Sequence, residues 1–281
     1  AWCGMLLVAE CCNVICPVKA LAVDCVLWAT IHLCCHRRAR RGTAQQAEHA
    51  NKHNTVERMI DLHCHLLPGI DDGPDTLEES LELCRIAVAD GISLAIVTPH
   101  IHPGRWENTR SSIAEACSAL QSALELHDIP LRLGFAGEVR LTDRIMQQVA
   151  DDDIPFYGTV DGYKIMLLEF PHSHLIPGGE KLARWLQEQG IRPMIAHPER
   201  NKQIMKDTSQ LLPYIEAGCW LQVTGGSVTG HFGDKSRTIA HELLQNDMVT
   251  VLASDGHNGS VRPPTLRQTF DHIVSQYGEE K

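Results

Sequence analysis

"MIDLHCHLLPGIDDGP", residues 59–74, is an apolar run that ends on His63 and His65 and then meets Asp71 and Asp72. These four side chains cost more to bury than the leucines between them, so the fold must compensate for them. Side chains alternate along extended backbone, so an HxH spacing puts both imidazoles on one face and Cys64 on the other. The pattern predicts a strand whose C-terminal end presents two converging histidines, with Cys64 in the core.

Outward from this stretch, short apolar runs alternate with amphipathic segments. Further strands are predicted at 93–98, 131–137, 164–170, 192–197, 219–225 and 248–254. Helices are predicted at 75–91, 108–127, 142–150, 178–189, 208–217, 233–246 and 263–276. In the first helix Asp75 can cap, Glu78 follows three residues later and Gly91 ends the segment. Such alternation implies βα units and parallel strands. Seven strands without a glycine-rich phosphate loop after the first favour a closed barrel over an open doubly wound sheet.

In a parallel β/α barrel the C-terminal strand ends share one face, which holds the active site. Six of the seven predicted ends carry His, Asp or Glu. His63 and His65 stand at the first and His100 and His102 in "TPHIH" at the second. Glu138 stands at the third and Glu169 at the fourth. The fifth, "IAHPER", brings His197, Glu199 and Arg200; the seventh, "ASDGH", brings Asp255 and His257. The sixth, "VTGGS", offers no strong ligand. One such residue could be an ordinary hydrogen-bonding group. Six together point to one convergent site, since each would otherwise need its own compensation. Imidazoles and carboxylates without paired thiolates suit Mn²⁺, Fe²⁺ or Zn²⁺ in a catalytic setting.

The chain has 281 residues, 43% apolar and 21% charged, with a net charge of −10. That charge argues against a nucleic-acid partner bound through a basic surface. Cysteines 3, 11, 12, 16, 25, 34 and 35 crowd the first 35 residues, while Cys64, Cys84, Cys117 and Cys219 are scattered. The scattered set reads as buried thiols of a reducing compartment. Residues 1–58 differ in character from the rest. The apolar run from Met5 to Cys35 contains Glu10, Asn13, Lys19 and Asp24 and precedes "HRRARR". It reads either as a membrane anchor or export signal, or, as favoured here, as sequence ahead of a start at Met59 that is not part of the folded domain. Residues 43–58 are polar and read as a linker. The expected domain is therefore 59–281.

"DLHCHLLPGIDDGP", "TPHIHPG", "GFAGEVRLTD", "LLEFP", "IAHPERN" and "ASDGHNGSVRPP" together resemble the PHP superfamily. More narrowly, they are similar to the bacterial manganese-dependent protein-tyrosine phosphatases of capsule and exopolysaccharide operons. The resemblance spans about 59–278 and keeps the motif order. It implies a distorted (β/α)7 barrel with a three-metal cluster held by His63, His65, Asp72, His100, Glu138, Glu169, His197, Asp255 and His257. It also implies that Arg200 and Arg262 hold the phosphate, as guanidinium forks suit. Arg105 in "HPGRWEN" could also face an anionic substrate. Asp71 reads as a turn-former, and His102, His172 and His174 as rim residues.

The implied reaction is metal-assisted hydrolysis of protein phosphotyrosine by a cytoplasmic enzyme. Its implied partner is a tyrosine kinase of polysaccharide synthesis, with no nucleic acid, no membrane for 59–281 and a homo-oligomer possible. Cys64, Cys84, Cys117 and Cys219 have no arginine six residues on, so none of them supports a cysteinyl-phosphate route, and no P-loop is present. The rivals are a PHP phosphatase for a small ester such as histidinol phosphate, a PHP nuclease, and an inactive metal-binding module docked on a kinase.

Overall fold

The structure is a computed structural model that describes residues 59–278, so the readings of 1–58 lie outside the described residues. The strands are β1 (Met59–Cys64), β2 (Ile92–Val97), β3 (His100–Ile101), β4 (Arg132–Phe135), β5 (Glu138–Arg140), β6 (Thr159–Val160), β7 (Tyr163–Glu169), β8 (Ile191–Ala196), β9 (Trp220–Thr224) and β10 (Val251–Ala253). They pair in two runs, β1-β2-β4 and β10-β9-β8-β7-β5-β3, and every pairing is parallel except the β6–β7 hairpin.

The two runs are parts of one ring. Thr98-Pro99 interrupts the backbone between β2 and β3, and Ala136-Gly137 interrupts it between β4 and β5. Hydrogen bonds from Ala136 N to Val97 O (2.9 Å) and from Glu138 N to Pro99 O (3.1 Å) carry the pairing across both breaks. Each pair of short strands thus acts as one broken stave. The ring closes where Cys64 bridges Gly256, with His65 N donating to Gly256 O and Asp255 N to His63 O, both at 2.8 Å. The predicted distorted seven-stave barrel is the observed architecture.

The eight α-helices among the described residues are α1 (Leu77–Asp90), α2 (Arg110–Leu126), α3 (Ile145–Ala150), α4 (Gly179–Glu188), α5 (Leu212–Glu216), α6 (Gly225–Val228), α7 (Asp234–Gln245) and α8 (Arg267–Tyr277). The cap of α1 is one residue later than predicted. Thr76 Oγ1 accepts from Glu79 N at 3.3 Å, and Glu79 Oε2 accepts from Thr76 N at 3.2 Å, a reciprocal capping box. Gly91 ends the helix at φ +101°, a conformation that only glycine adopts without strain. Asp90 Oδ2 accepts from Arg267 N at 2.9 Å, which ties the start of α8 to the end of α1.

Alternation along the strands separates two cores. Ile60, Leu62, Leu94, Ile96, Ile165, Leu167, Met194, Val251 and Ala253 fill the barrel interior with the fully buried Tyr157. Cys64, Ala95, Val97, Met166, Leu168, Ile195, Leu221 and Leu252 join the larger cluster that also contains buried residues of the helices. Two residues beyond the last interior apolar side chain, the same face presents a carboxylate: Glu138 after Ala136, Glu169 after Leu167, Asp255 after Ala253. The first strand is irregular. Its register against β2 shifts between Asp61 and Cys64, so Leu62 packs in the interior and His63 still reaches the site above it.

Candidate metal centre

At the C-terminal rim of the barrel, nine side chains predicted as ligands meet. Four overlapping groups place one candidate ligand atom per residue within 4.8 Å of each other: His65, Asp72, His100 and His257; His63, Glu138 and His197; His63, His65 and Asp255; His100, Glu138 and Glu169. The two histidines of the opening motif face each other, Nε2 to Nε2, at 3.2 Å. Glu138 Oε2 lies 3.4 Å from His63 Nε2, 3.3 Å from His65 Nε2 and 3.0 Å from His100 Nδ1. Asp255 Oδ1 lies 3.3 Å from His63 Nε2. Asp72 Oδ1 lies 3.2 Å from both His100 Nε2 and His257 Nε2, and His197 Nε2 lies 2.8 Å from Glu138 Oε1.

Several of these buried atoms are close together without hydrogen-bond alignment. Glu138 Oε2, Glu169 Oε2, Asp255 Oδ1, His100 Nδ1 and His257 Nε2 all lack a hydrogen-bond partner. Orphaned buried carboxylate oxygens and imidazole nitrogens aimed at shared points are the donor set that divalent cations take, so the residues fit such ions. Backbone geometry points the same way. His197 at φ +32° and Asp255 at φ +53° sit in the left-handed region, which is costly for residues with a Cβ and is retained where function requires it.

Neighbouring charges set the protonation of the site. Burial would push the Glu138 carboxyl up, yet His100 and His63 hold it well below the usual range. Burial would likewise raise Asp255, and Arg200, His63 and Arg262 hold it well below. Burial would lower His65, but Asp71 and Glu138 raise it well above its ordinary value.

Partners that the sequence did not reveal orient the candidate ligands. Asp71 Oδ2 lies 2.7 Å from His65 Nδ1 and accepts from His100 N at 3.1 Å, while Oδ1 accepts from Gly73 N at 3.0 Å. Asp71 is therefore a turn-former and also fixes His65. On the sixth stave, Gln222 Oε1 lies 2.8 Å from His63 Nδ1 and accepts from His197 N at 3.2 Å. Arg140 Nη1 pairs with Glu169 Oε1 at 2.7 Å. Buried Asp61 accepts from Ser254 N at 3.0 Å and from its hydroxyl, which pins the barrel seam beside Asp255. Glu199 Oε1 accepts from Ser227 Oγ at 2.7 Å and Thr224 N at 3.1 Å, anchoring the turn that carries His197 and Arg200.

A cavity of about 200 Å³ opens on the centre, lined in part by Asp72, His100, Glu138, Glu169, His197 and Asp255. Arg200 and Arg262 line it too, and both guanidinium groups donate to Asp255 Oδ2, Arg262 at 2.6 Å. His102 and His172 line the cavity as expected of rim residues; His174 is not among its walls. Cys64 is fully buried, with its thiol 3.6 Å from Ile96 O and pushed well up by burial. Cys84, Cys117 and Cys219 are free and buried as well.

The model of the family "Capsular polysaccharide synthesis, CpsB/CapC" matches residues 59–281. The tyrosine-protein phosphatase YwqE of Bacillus subtilis is 34% identical over 222 residues, covering 79% of this chain and 86% of that protein. The putative tyrosine-protein phosphatase CapC of Staphylococcus aureus is 31% identical over 223 residues, with the same coverage of both chains. A solved structure reported with YwqE and Streptococcus pneumoniae CpsB, described as unique metal-dependent tyrosine phosphatases, superimposes with a TM-score of 0.73. It is 34% identical and covers 79% of this chain and 89% of its own.

Proposed function

The chain belongs to the capsular polysaccharide synthesis family CpsB/CapC, and from that membership we propose that it is a metal-dependent protein-tyrosine phosphatase. The observation that carries this reading is the convergence of all nine imidazole and carboxylate side chains in overlapping groups at one centre beside the cavity, with buried oxygens left for cations. His63, His65, Asp72, His100, Glu138, Glu169, His197, Asp255 and His257 are the ligands in this reading. Manganese is the proposed metal, with Fe²⁺ and Zn²⁺ compatible with the same donors. Bound there, divalent cations supply Lewis-acid neutralisation of a phosphate ester and a nucleophile derived from water near neutral pH.

The chain's own residues do the rest. Asp71 and Gln222 hold the rings of His65 and His63 through their Nδ1 atoms, which leaves Nε2 directed into the centre. Arg200 and Arg262 reach the cavity from one side and share Asp255 Oδ2 as partner. An ester phosphate presents the same type of oxygen acceptor, and the two forks neutralise charge on its equatorial oxygens. A phenolate leaving group with a pKa of about 10 needs little protonation help, so this reading does not require a dedicated acid.

The substrate in this reading is phosphotyrosine on a bacterial tyrosine kinase of polysaccharide synthesis, and the capsular setting of the family supports it. No helix among the described residues is long and apolar enough to cross a membrane. The four free buried thiols among the described residues fit a reducing, cytoplasmic setting. Hydrolysis of a phosphotyrosyl peptide, abolished by chelator and restored by Mn²⁺, is the expected result. Full activity in chelator, or preference for histidinol phosphate over the peptide, would overturn it.

A further inference from the structure

The wall of the cavity next to His100 is a short, tightly bonded turn. After β3 the backbone folds back so that His102 N and Trp106 O bond at 2.9 Å, as do Trp106 N and His102 O. Gly104, at φ +83°, makes the corner, and Glu107 Oε1 accepts from its N–H at 2.6 Å. Trp106 stacks on His100, with ring centroids 4.7 Å apart and planes inclined by 10°. The Arg105 guanidinium lies 3.9 Å over the indole. Trp106 thus packs against both the His100 ring and the Arg105 guanidinium, and Arg105 is exposed where it lines the cavity.

Four arginines line this cavity, and three are already engaged with carboxylates: Arg140 with Glu169, and Arg200 and Arg262 with Asp255. Arg105 has no ion-pair partner among the described residues. The indole beneath it favours this placement, which reduces the freedom the side chain has to lose on binding. The chain carries a net charge of −10, so an anionic peptide approaching the site meets overall repulsion. A cation without an ion-pair partner among the described residues counters that repulsion at the mouth.

We infer that Arg105 is a specificity residue: it binds a second anionic group of the substrate peptide, beside the phosphotyrosine. This rests on the phosphatase reading above. A carboxylate and a phosphate monoester offer the same paired oxygens to a guanidinium fork, so either satisfies the chemistry. Rim charges act mainly through encounter and KM and weaken with salt.

The test uses three phosphotyrosyl peptides of one sequence, flanked by Glu, by phosphoserine or by Gln. The reading is the ratio of kcat/KM for each anionic peptide to that for the Gln peptide. In the wild-type chain the ratio is about 3- to 10-fold at low salt for at least one anionic peptide, and which one identifies the group. It falls to about one in Arg105→Gln, drops below one in Arg105→Glu and returns in Arg105→Lys. Because the ratio is internal to each variant, a general loss of activity through Trp106 does not imitate the effect. A ratio unchanged in Arg105→Glu, or near one in the wild type, overturns the inference while leaving the phosphatase reading intact. Hydrolysis of none of the peptides overturns both.

Discussion

Asp71 holds His65: its Oδ2 lies 2.7 Å from Nδ1 of the imidazole, which turns Nε2 towards Glu138 and Asp255. The same carboxylate binds the backbone of His100 and Gly73, so one side chain fixes the ring, the second stave and the connecting turn. Replacing Asp71 by Ala is expected to weaken metal affinity by about 10–100-fold with the fold retained. Metal titration followed against circular dichroism checks this. Wild-type affinity in Asp71→Ala would show that the turn alone orients the ring.

Arg200→Ala is expected to keep its metal and lose activity by about 10²–10³-fold. Removing the guanidinium frees Asp255 from a competing cation, so metal affinity should hold or rise. Activity at the wild-type rate would contradict the phosphate-holding role, and loss of metal would place Arg200 in assembly of the centre.

Metal and protons compete for the imidazoles. His63 and His65 are buried, which alone would lower them, but Glu138 and Asp255 raise His63, and Asp71 and Glu138 raise His65, above the usual 6.5. In the metal-free chain their contribution to stability is fully present below about 6.5 and is lost as pH rises through the higher folded values. Metal binding must displace those protons, so affinity increases with pH across the same window. Calorimetry in buffers of different ionisation enthalpy should show proton release on loading. Affinity independent of pH would mean that the rings are already neutral.

Gly256 lies at the barrel seam, where a Cβ would sit 2.6 Å from Pro264 Cα and 2.8 Å from its nitrogen. These are backbone atoms that cannot swing aside. Gly256→Ala is expected to destabilise the chain by ~1–3 kcal/mol and to lower metal occupancy by moving Asp255 and His257. Chemical denaturation and metal content measure the two effects. An unperturbed variant would show that the seam is loose.

The barrel was legible because its staves are short apolar runs with helical segments between them: β1, β4, β9 and β10 fall within the predicted runs, β2, β7 and β8 begin one residue earlier, and the short β3, β5 and β6 lie outside them. The resumption of pairing beyond Thr98-Pro99 and Ala136-Gly137 was not legible, since the apolar runs end there and β3 and β5 are too short to carry a pattern of their own. Asp75 and Thr76 are both good caps, and only the reciprocal contact with Glu79 decides for Thr76. Eight of the nine candidate ligands were readable as costly residue types at strand ends; Asp72, in the loop after β1, and the choice of the nine over His102 and Glu199 came with the family resemblance, and the structure brings all nine together. Gln222 and Arg140 were missed because their partners, His63 and Glu169, are distant in the chain, and a lone polar residue in a strand carries no sign of its neighbour. The shared pairing of Arg200 and Arg262 with Asp255 has the same character.

The account stands on cations gathered at the rim of this barrel. Elemental analysis of the purified chain, taken before and after chelation alongside phosphotyrosyl hydrolysis, tests that most directly. The expected result is about three divalent ions per chain, manganese foremost, with ions and activity lost together and recovered together. A chain free of divalent metal that hydrolyses the peptide at full rate would contradict it.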